Sequence, residues 1–284
     1  VRLTKYHGLG NDFLVALDEG NDAPVVVDAA LARRLCDRHR GIGADGLIHG
    51  ARPVPPAAHN DAATEDALEL DVVMHLFNAD GSRAELSGNG IRCLAQAVVD
   101  ARWPDAATDP GPFTIAAGTD TGVRTLEVQR TDEPTEVQVR VAMGAARPGP
   151  ALPASVSELL AERHATVDMG NPHLVVLVDD PTVIDLAHRG GWLEEQFEHG
   201  ANVEFIAVTA PDQLMLAVWE RGAGITQACG TGAAAAAHVA RGWGLTGNHV
   251  VVRMPGGDAE VHLDGDDITL VGPSVRIAEV IVDD

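Results

Sequence analysis

Apolar residues recur at helical spacing over only a few stretches of the chain: Ala29–Arg38, Gly88–Arg102, about Ser155–Arg163, and Gly230–Trp243. Much of the remainder is short runs rich in Val, Ile and Leu, such as Glu69–Phe77, Glu136–Ala142, His173–Val178, Gln213–Trp219 and Val250–Met254, and these predict strands. Many strands with few helices predict an α+β fold with curved or barrel-like sheets. The regular strand–helix alternation of a doubly wound sheet is absent. Ala51–Asp66, rich in Ala, Pro, Asn and Asp and without periodicity, is expected to be a surface loop, as is Trp103–Pro112.

The pattern repeats. Phe77 ends a predicted strand, Asn78-Ala79-Asp80-Gly81 turns, and Ser87-Gly88-Asn89-Gly90 opens an apolar helix. Trp219 ends another strand, Glu220-Arg221-Gly222 turns, and Cys229-Gly230-Thr231-Gly232 opens an Ala-rich helix, with both motifs offset by 142 residues. Gly10-Asn11-Asp12-Phe13-Leu14-Val15 and Gly170-Asn171-Pro172-His173-Leu174-Val175 match in the same order at an offset of 160. Two motifs in one order and one structural context predict a duplicated architecture, with the two Gly-rich loops facing each other across a pseudo-twofold cleft. The expected halves are residues 1–119, with 274–284 returning to them, and 120–273.

The 284 residues are 45% hydrophobic and 22% charged, the proportions of a globular protein with a sizeable core. A formal charge of −22 argues against nucleic acid and anionic membranes as partners. No apolar run is long enough to span a bilayer, and Val1–Leu14 lacks the apolar stretch of a signal peptide. Cys36, Cys93 and Cys229 are odd in number and widely spaced, which suits neither a disulfide framework nor a zinc cluster. A reducing, cytoplasmic protein without a metal is expected.

A Ser/Cys-Gly-x-Gly sequence at a helix start presents backbone N–H groups beside the positive end of the helix dipole, so each loop can grip a carboxylate or phosphate. Neither loop has the Gly-Lys-Ser/Thr ending of a P-loop, and no dinucleotide fingerprint is present. Cys229 is the sharper feature. A helix N-terminus is expected to lower its thiol pKa toward neutrality and make it a base. A lone cysteine is more often a small apolar core residue, and a single Glu–Arg pair is more often a solvated surface charge. In the second half, however, Asn171, His173, Asn202, Glu220 and Arg221 supply cation, anion and amide groups suited to an α-amino acid head. Arg221 can clasp a carboxylate and Glu220 can receive an ammonium. Lys5 is the chain's lone lysine, and no candidate for a Schiff base is evident, so no pyridoxal phosphate or other cofactor is expected.

Eight motifs in order resemble the diaminopimelate epimerase family over nearly the whole chain: Gly8-Leu9-Gly10-Asn11-Asp12-Phe13, Gly41-Ile42-Gly43-Ala44-Asp45-Gly46, Asn78-Ala79-Asp80-Gly81-Ser82, Gly88-Asn89-Gly90, Gly170-Asn171-Pro172-His173, Asn202-Val203-Glu204-Phe205, Glu220-Arg221-Gly222 and Ala228-Cys229-Gly230-Thr231-Gly232. The resemblance implies two pseudo-symmetric domains, each a barrel-like sheet around a central helix, with the last strand, near Pro273–Asp284, returning to the first. It implies a cofactor-independent isomerase of lysine and peptidoglycan precursor synthesis, a homodimer, interconverting LL- and meso-2,6-diaminopimelate by two-base proton transfer. By the same resemblance Asn11, Asn78, Asn171, Asn202, Glu220 and Arg221 hold the substrate. Gly88-Asn89 and Gly230-Thr231 receive its α-carboxylate, and His173 and Glu220 tune the thiols.

One position departs from the family. Ser87 stands where the family has its first catalytic cysteine, and a hydroxyl is a poor base at neutral pH. Cys93 is no obvious replacement, since six residues along a helix move it about 9 Å down the axis. Four readings of Ser87 stay open: an introduced inactivating change, a natural proton donor or water relay, a one-base isomerase or dehydratase acting on another amino acid, and an inactive amino-acid-binding relative.

Overall fold

A computed structural model of the chain describes residues 1–21, 25–53, 69–105 and 109–282. Two compact units divide the chain: Val1–Gly8 with Asp12–Val139 and Pro273–Asp284, and Leu9–Asn11 with Arg140–Gly272. The first contains β1 (Arg2–Gly8), β2 (Asn11–Leu17), α1 (Ala29–Cys36), β3 (Gly46–Ala51), β4 (Val72–Asn78), β5 (Arg83–Ala84), α2 (Gly88–Arg102), β6 (Phe113–Thr119), β7 (Gly122–Arg130) and the start of β8 (Glu136–Ala145). The second continues with β9 (Arg147–Pro148), α3 (Ala154–Leu159), β10 (His164–Asp168), β11 (Pro172–Leu177), α4 (Leu186–Glu194), β12 (Asn202–Ala210), β13 (Gln213–Glu220), β14 (Gly224–Ile225), α5 (Gly230–Gly242), β15 (His249–Met254), β16 (Gly257–Asp264) and β17 (Asp267–Ile281), whose end returns to the first unit.

The expected duplication is present in the strand registers. In the first unit β2 and β3 run parallel with Phe13 opposite Gly46, and β3 pairs antiparallel to β4 with Ile48 opposite Leu76. In the second, β11 and β12 run parallel with His173 opposite Asn202, and β12 pairs antiparallel to β13 with Glu204 opposite Val218. Parallel β4–β6 answers to β13–β15, and the β6–β7 hairpin to β15–β16. Phe13, Ile48, Asn78 and Ser87 therefore correspond to His173, Glu204, Glu220 and Cys229. The first unit's ladder continues from β1 to β17, and β17 also pairs with β8.

The central helices are buried on every side, from Gly88 to Val99 in α2 and from Gly230 to Ala237 in α5. A helix apolar all round needs neighbours all round. Strands β1, β3, β4 and β7 contact α2, and β10, β11, β12, β13, β15 and β16 contact α5. Ala233–Ala237 keep α5 thin enough for that enclosure. The alternate strand face packs outward: Leu47 and Phe77 meet Ala32 and Leu35 of α1, while Val203 and Phe205 meet Leu193 and Phe197.

One helix lies outside the stretches of helical spacing, and its absence from the sequence reading has a physical cause. Helix α4 carries Gly190 and Gly191, poor helix formers. A Cβ at Gly190 would lie 2.5 Å from Cβ of Trp219, so the close approach of α4 to β13 excludes better ones. The expected boundary at residue 119 falls in the β6–β7 hairpin, where Thr119 pairs with Gly122, and the first unit runs on to Val139. The loop expected over Ala51–Asp66 lies outside the described residues from position 54 on, as do 106–108 and 283–284.

Arg92, in the first turn of α2, is wholly enclosed. Its Nε donates to the Pro273 carbonyl (3.1 Å), Nη1 to that of Gly88 (3.1 Å) and Nη2 to Asn89 Oδ1 (2.8 Å). Burial draws its pKa down to about 10, so it stays charged at neutral pH while fastening the start of α2 to β17. Arg92→Met takes a charged donor from the Pro273 carbonyl and from Asn89 Oδ1, each such bond worth about 1.5–3 kcal/mol, partly offset by removal of a buried charge. A loss of roughly 2 kcal/mol in urea denaturation is expected. An unchanged unfolding midpoint would remove Arg92 from this role.

Candidate active site

Each central helix opens on a side-chain cap. Ser87 (φ −127°, ψ 123°) accepts the Gly90 N–H at 3.0 Å through Oγ, and Cys229 (φ −128°, ψ 114°) accepts the Gly232 N–H at 3.3 Å through Sγ. Near-identical backbone angles place the hydroxyl and the thiol at the same point of their respective repeats. Space is short three residues on from each cap. A Cβ at Gly90 would come 3.1 Å from Ile48 Cδ1 and 3.1 Å from Ser87 Cβ; at Gly232 it would come 2.7 Å from Glu204 Oε1 and 3.2 Å from Cys229 Sγ.

The second unit brings together Asn171, His173, Asn202, Glu220, Arg221, Cys229, Gly230 and Thr231, and Asn11 belongs to it at the tip of the β1–β2 hairpin. That tip is a tight turn, with Leu9 at φ 56° and Gly10 at φ 82°. Thr231 Oγ1 lies 3.5 Å from Cys229 Sγ and accepts from Asn171 Nδ2 at 3.5 Å. Asn171 Oδ1 lies 2.9 Å from His173 Nε2, and His173 Nδ1 lies 2.6 Å from Glu204 Oε1. Glu220 accepts from the Thr226 hydroxyl at 2.5 Å. Asn202 is used within the protein: it accepts the Arg221 backbone N–H at 2.9 Å and donates to the Pro172 carbonyl at 3.1 Å, so it shapes the turn that presents Arg221. The Arg221 side chain is exposed.

The first unit holds Asn78, Ser87, Gly88 and Asn89. Asn78 donates to Ser82 Oγ at 2.9 Å, and Asn89 is buried with its Oδ1 on Arg92. Lys5, the lone lysine, has Nζ 2.8 Å from Asp12 and donates to the Gly43 carbonyl at 2.5 Å. Among the described residues, His249, Glu260 and His262 bring possible metal-ligand atoms within 4.8 Å of one another, on the exposed β15–β16 hairpin.

The expectation of a Cys229 thiol drawn toward neutrality is reversed. Burial pushes its pKa well above the usual value, and the Glu220 and Glu204 carboxylates push it further. The hydrogen bonds from Thr231 and Gly232 oppose this and are outweighed. Burial also raises Glu220, against the hydrogen bonds from Thr226 and Cys229; Glu204 adds to the rise and His173 opposes it. Cys93, fully buried within α2, is pushed up to about 12 by burial. It takes no part in the cap.

Glu204 and Thr226 are the neighbours of Cys229 that the sequence reading did not single out. Glu204 had a signal: its place alternates with Val203 and Phe205, whose side chains form the outer core, so a carboxylate there must point inward.

This arrangement of strands and helices recurs in solved structures. A predicted epimerase of Pseudomonas aeruginosa superposes with a TM-score of 0.71 at 16% identity, over 99% of this chain and 98% of that one. A hydroxyproline epimerase from Agrobacterium vitis does so with 0.64 at 14%, over 98% and 91%. The fold is thus the two-unit α+β fold found in these epimerases. The diaminopimelate epimerase family profile matches residues 3–148 and 165–277. Relatives of that name include those of Microcystis aeruginosa, 35% identical over 99% of this chain and 98% of the relative, and Erythrobacter litoralis, 37% identical over 97% and 95%. The chain belongs to the diaminopimelate epimerase family.

The two glycines offer a comparison. At Gly232 an alanine meets a buried carboxylate and the capping thiol, whereas at Gly90 it meets a flexible Ile48 methyl and a serine Cβ. Gly232→Ala should lower stability by about 1–3 kcal/mol and Gly90→Ala by less. Equal unfolding midpoints for the two variants would contradict the tighter packing at Gly232.

Proposed function

We propose that the protein is a cofactor-independent epimerase that interconverts LL- and meso-2,6-diaminopimelate in lysine and peptidoglycan precursor synthesis. The observation that carries this reading is a buried capping thiol at a helix N-terminus, accepting the Gly232 N–H with the Glu220 carboxyl acting on it, in a chain of this family. The backbone N–H groups of Gly88-Asn89 and Gly230-Thr231 receive the α-carboxylate and stabilise the carbanion that forms when the α-proton leaves. Asn11, Asn78, Asn171, Asn202, Glu220 and Arg221 bind the rest of the substrate, Asn202 through the turn it shapes. Three buried free thiols suit a reducing cytoplasm, and the family likeness supports a homodimer.

Inversion needs an acid and a base on opposite faces of the carbon. Cys229 rests as the thiol, so it can donate directly. To act as base it first passes its proton to Glu220, and the thiolate then takes the α-hydrogen. Ser87 is the partner group and serves as donor. In heavy water, Cys229 can take a proton and return a deuteron on one face, so one epimer should exchange its α-hydrogen faster than it inverts. Ser87→Cys should raise inversion by about 10²–10⁴-fold, and Cys229→Ser should abolish both exchange and inversion. A fully active starting protein whose inversion rate Ser87→Cys leaves unchanged would take Ser87 out of the acid–base position. Ser87 itself favours a second reading, a one-base isomerase or dehydratase of this fold or an inactive amino-acid-binding relative. Binding without any α-hydrogen wash-out would select the binding protein.

The substrate class has its own check. Arg221→Ala should abolish calorimetric binding of diaminopimelate. Equal affinity for lysine, which lacks the distal carboxylate, would refute the substrate assignment.

A further inference from the structure

Glu204 has no assigned part in the proposed reaction, yet its place is unlike that of an ordinary core residue. It is fully buried on β12, with Oε1 on His173 Nδ1 at 2.6 Å and Oε2 without a hydrogen-bond partner among the described residues. An unpaired buried carboxylate oxygen is costly. The repeat shows that packing does not require it. Ile48 fills the same register position in the first unit, against Gly90 as Glu204 lies against Gly232. Phe13 likewise stands where the second unit has His173. An apolar pair builds this part of the scaffold, and a titratable pair replaces it only beside the thiol.

The hydrogen bonds define the contact. His173 Nδ1 meets Glu204 Oε1 at 2.6 Å and its Nε2 lies 2.9 Å from Asn171 Oδ1, while Asn171 Nδ2 is turned to Thr231 Oγ1 at 3.5 Å. A carboxylate only accepts, so Nδ1 carries the hydrogen of the shorter bond. The titratable groups around Cys229 are Glu220 from β13 and Glu204 from β12, with His173 from β11 between Glu204 and Asn171. A carboxylate under the first turn of α5 opposes what the helix end does for a thiolate.

We propose that Glu204 is a positioning residue: its carboxylate fixes the His173 ring through Nδ1, and its charge keeps Cys229 a thiol until Glu220 takes the proton. This rests on the assignment of Cys229 as the acid–base group. Glu204 raises the proton affinity of both Cys229 and Glu220, so removing its charge lowers both.

The test is thiolate absorbance at 240 nm against pH in the full chain, with Cys229→Ser as the blank. Glu204→Gln keeps the acceptor for His173 and loses the charge, so the Cys229 transition should move to lower pH. The acid limb of α-hydrogen exchange should follow it, with kcat falling more than KM rises. Glu204→Asp, which keeps the charge, should leave the transition on the wild-type side. A Glu204→Gln titration superimposable on wild type would overturn the proposal, as would an Asp variant that shifts like Gln. A second measurement needs no variant at residue 204: the ring ¹⁵N shifts of His173, assigned by their loss in His173→Asn, should show hydrogen on Nδ1. A ring with hydrogen on Nε2 alone would overturn it. Both spectroscopic readouts stand without turnover, so a protein that titrates as expected but epimerises nothing would refute the proposed reaction and leave the role of Glu204 in the thiol's titration.

Discussion

A helix enclosed by strands cannot hand the N–H groups of its first turn to water, and the helix itself supplies them no acceptors. That constraint organises both repeats. Side-chain caps settle one donor each, Ser87 for Gly90 and Cys229 for Gly232. Under the proposed reaction the N–H groups at Gly88-Asn89 and Gly230-Thr231 turn to the substrate carboxylate. Enclosure also dictates composition. The helix must be thin where strands press on it, hence the alanines of α5, and bare where the cap bends over it, hence Gly90 and Gly232.

Identical scaffolding carries different electrostatics in the two units. The registers align Phe13 with His173 and Ile48 with Glu204. The next aligned positions pair Asn78 with Glu220, and the helix caps pair Ser87 with Cys229. Each substitution exchanges an apolar or uncharged group for a titratable one, and all four sit around one helix end. In the second unit the capping atom is therefore embedded in a network that can store and release a proton. In the first it is a hydroxyl beside an isoleucine and an amide. The departure at Ser87 continues a difference already written into the strands beneath it.

Much of this was legible in the sequence. Helix α2 matches its expected span, α5 differs by one residue at its end, and the 142-residue offset from Ser87 to Cys229 equates two caps that proved alike in backbone angles. Periodicity reads such elements well because their burial is uniform. It fails for α4, where tertiary contact with Trp219 demands glycines that propensity disfavours. The direction of the Cys229 shift was also misread, for a related reason. The helix dipole is a local property of the chain, whereas burial and the carboxylates of β12 and β13 are properties of the fold. No local window of the sequence contains Glu204, Glu220 and Cys229 together.

The sum of those non-local terms constrains the chemistry. A thiolate beside the carboxylates of Glu204 and Glu220 would gather negative charge in an enclosed space. Burial and these carboxylates favour the proton on sulfur. Under the proposed reaction Cys229 is thus a ready donor but a conditional base, its base form reached as the proton moves to Glu220, which burial and Glu204 make a better acceptor than an exposed carboxylate. A positive ammonium arriving with an amino acid would ease that transfer by offsetting the charge left on sulfur. Proton abstraction would then be coupled to occupancy: the empty site holds its thiol neutral, and binding supplies the charge that lets it act.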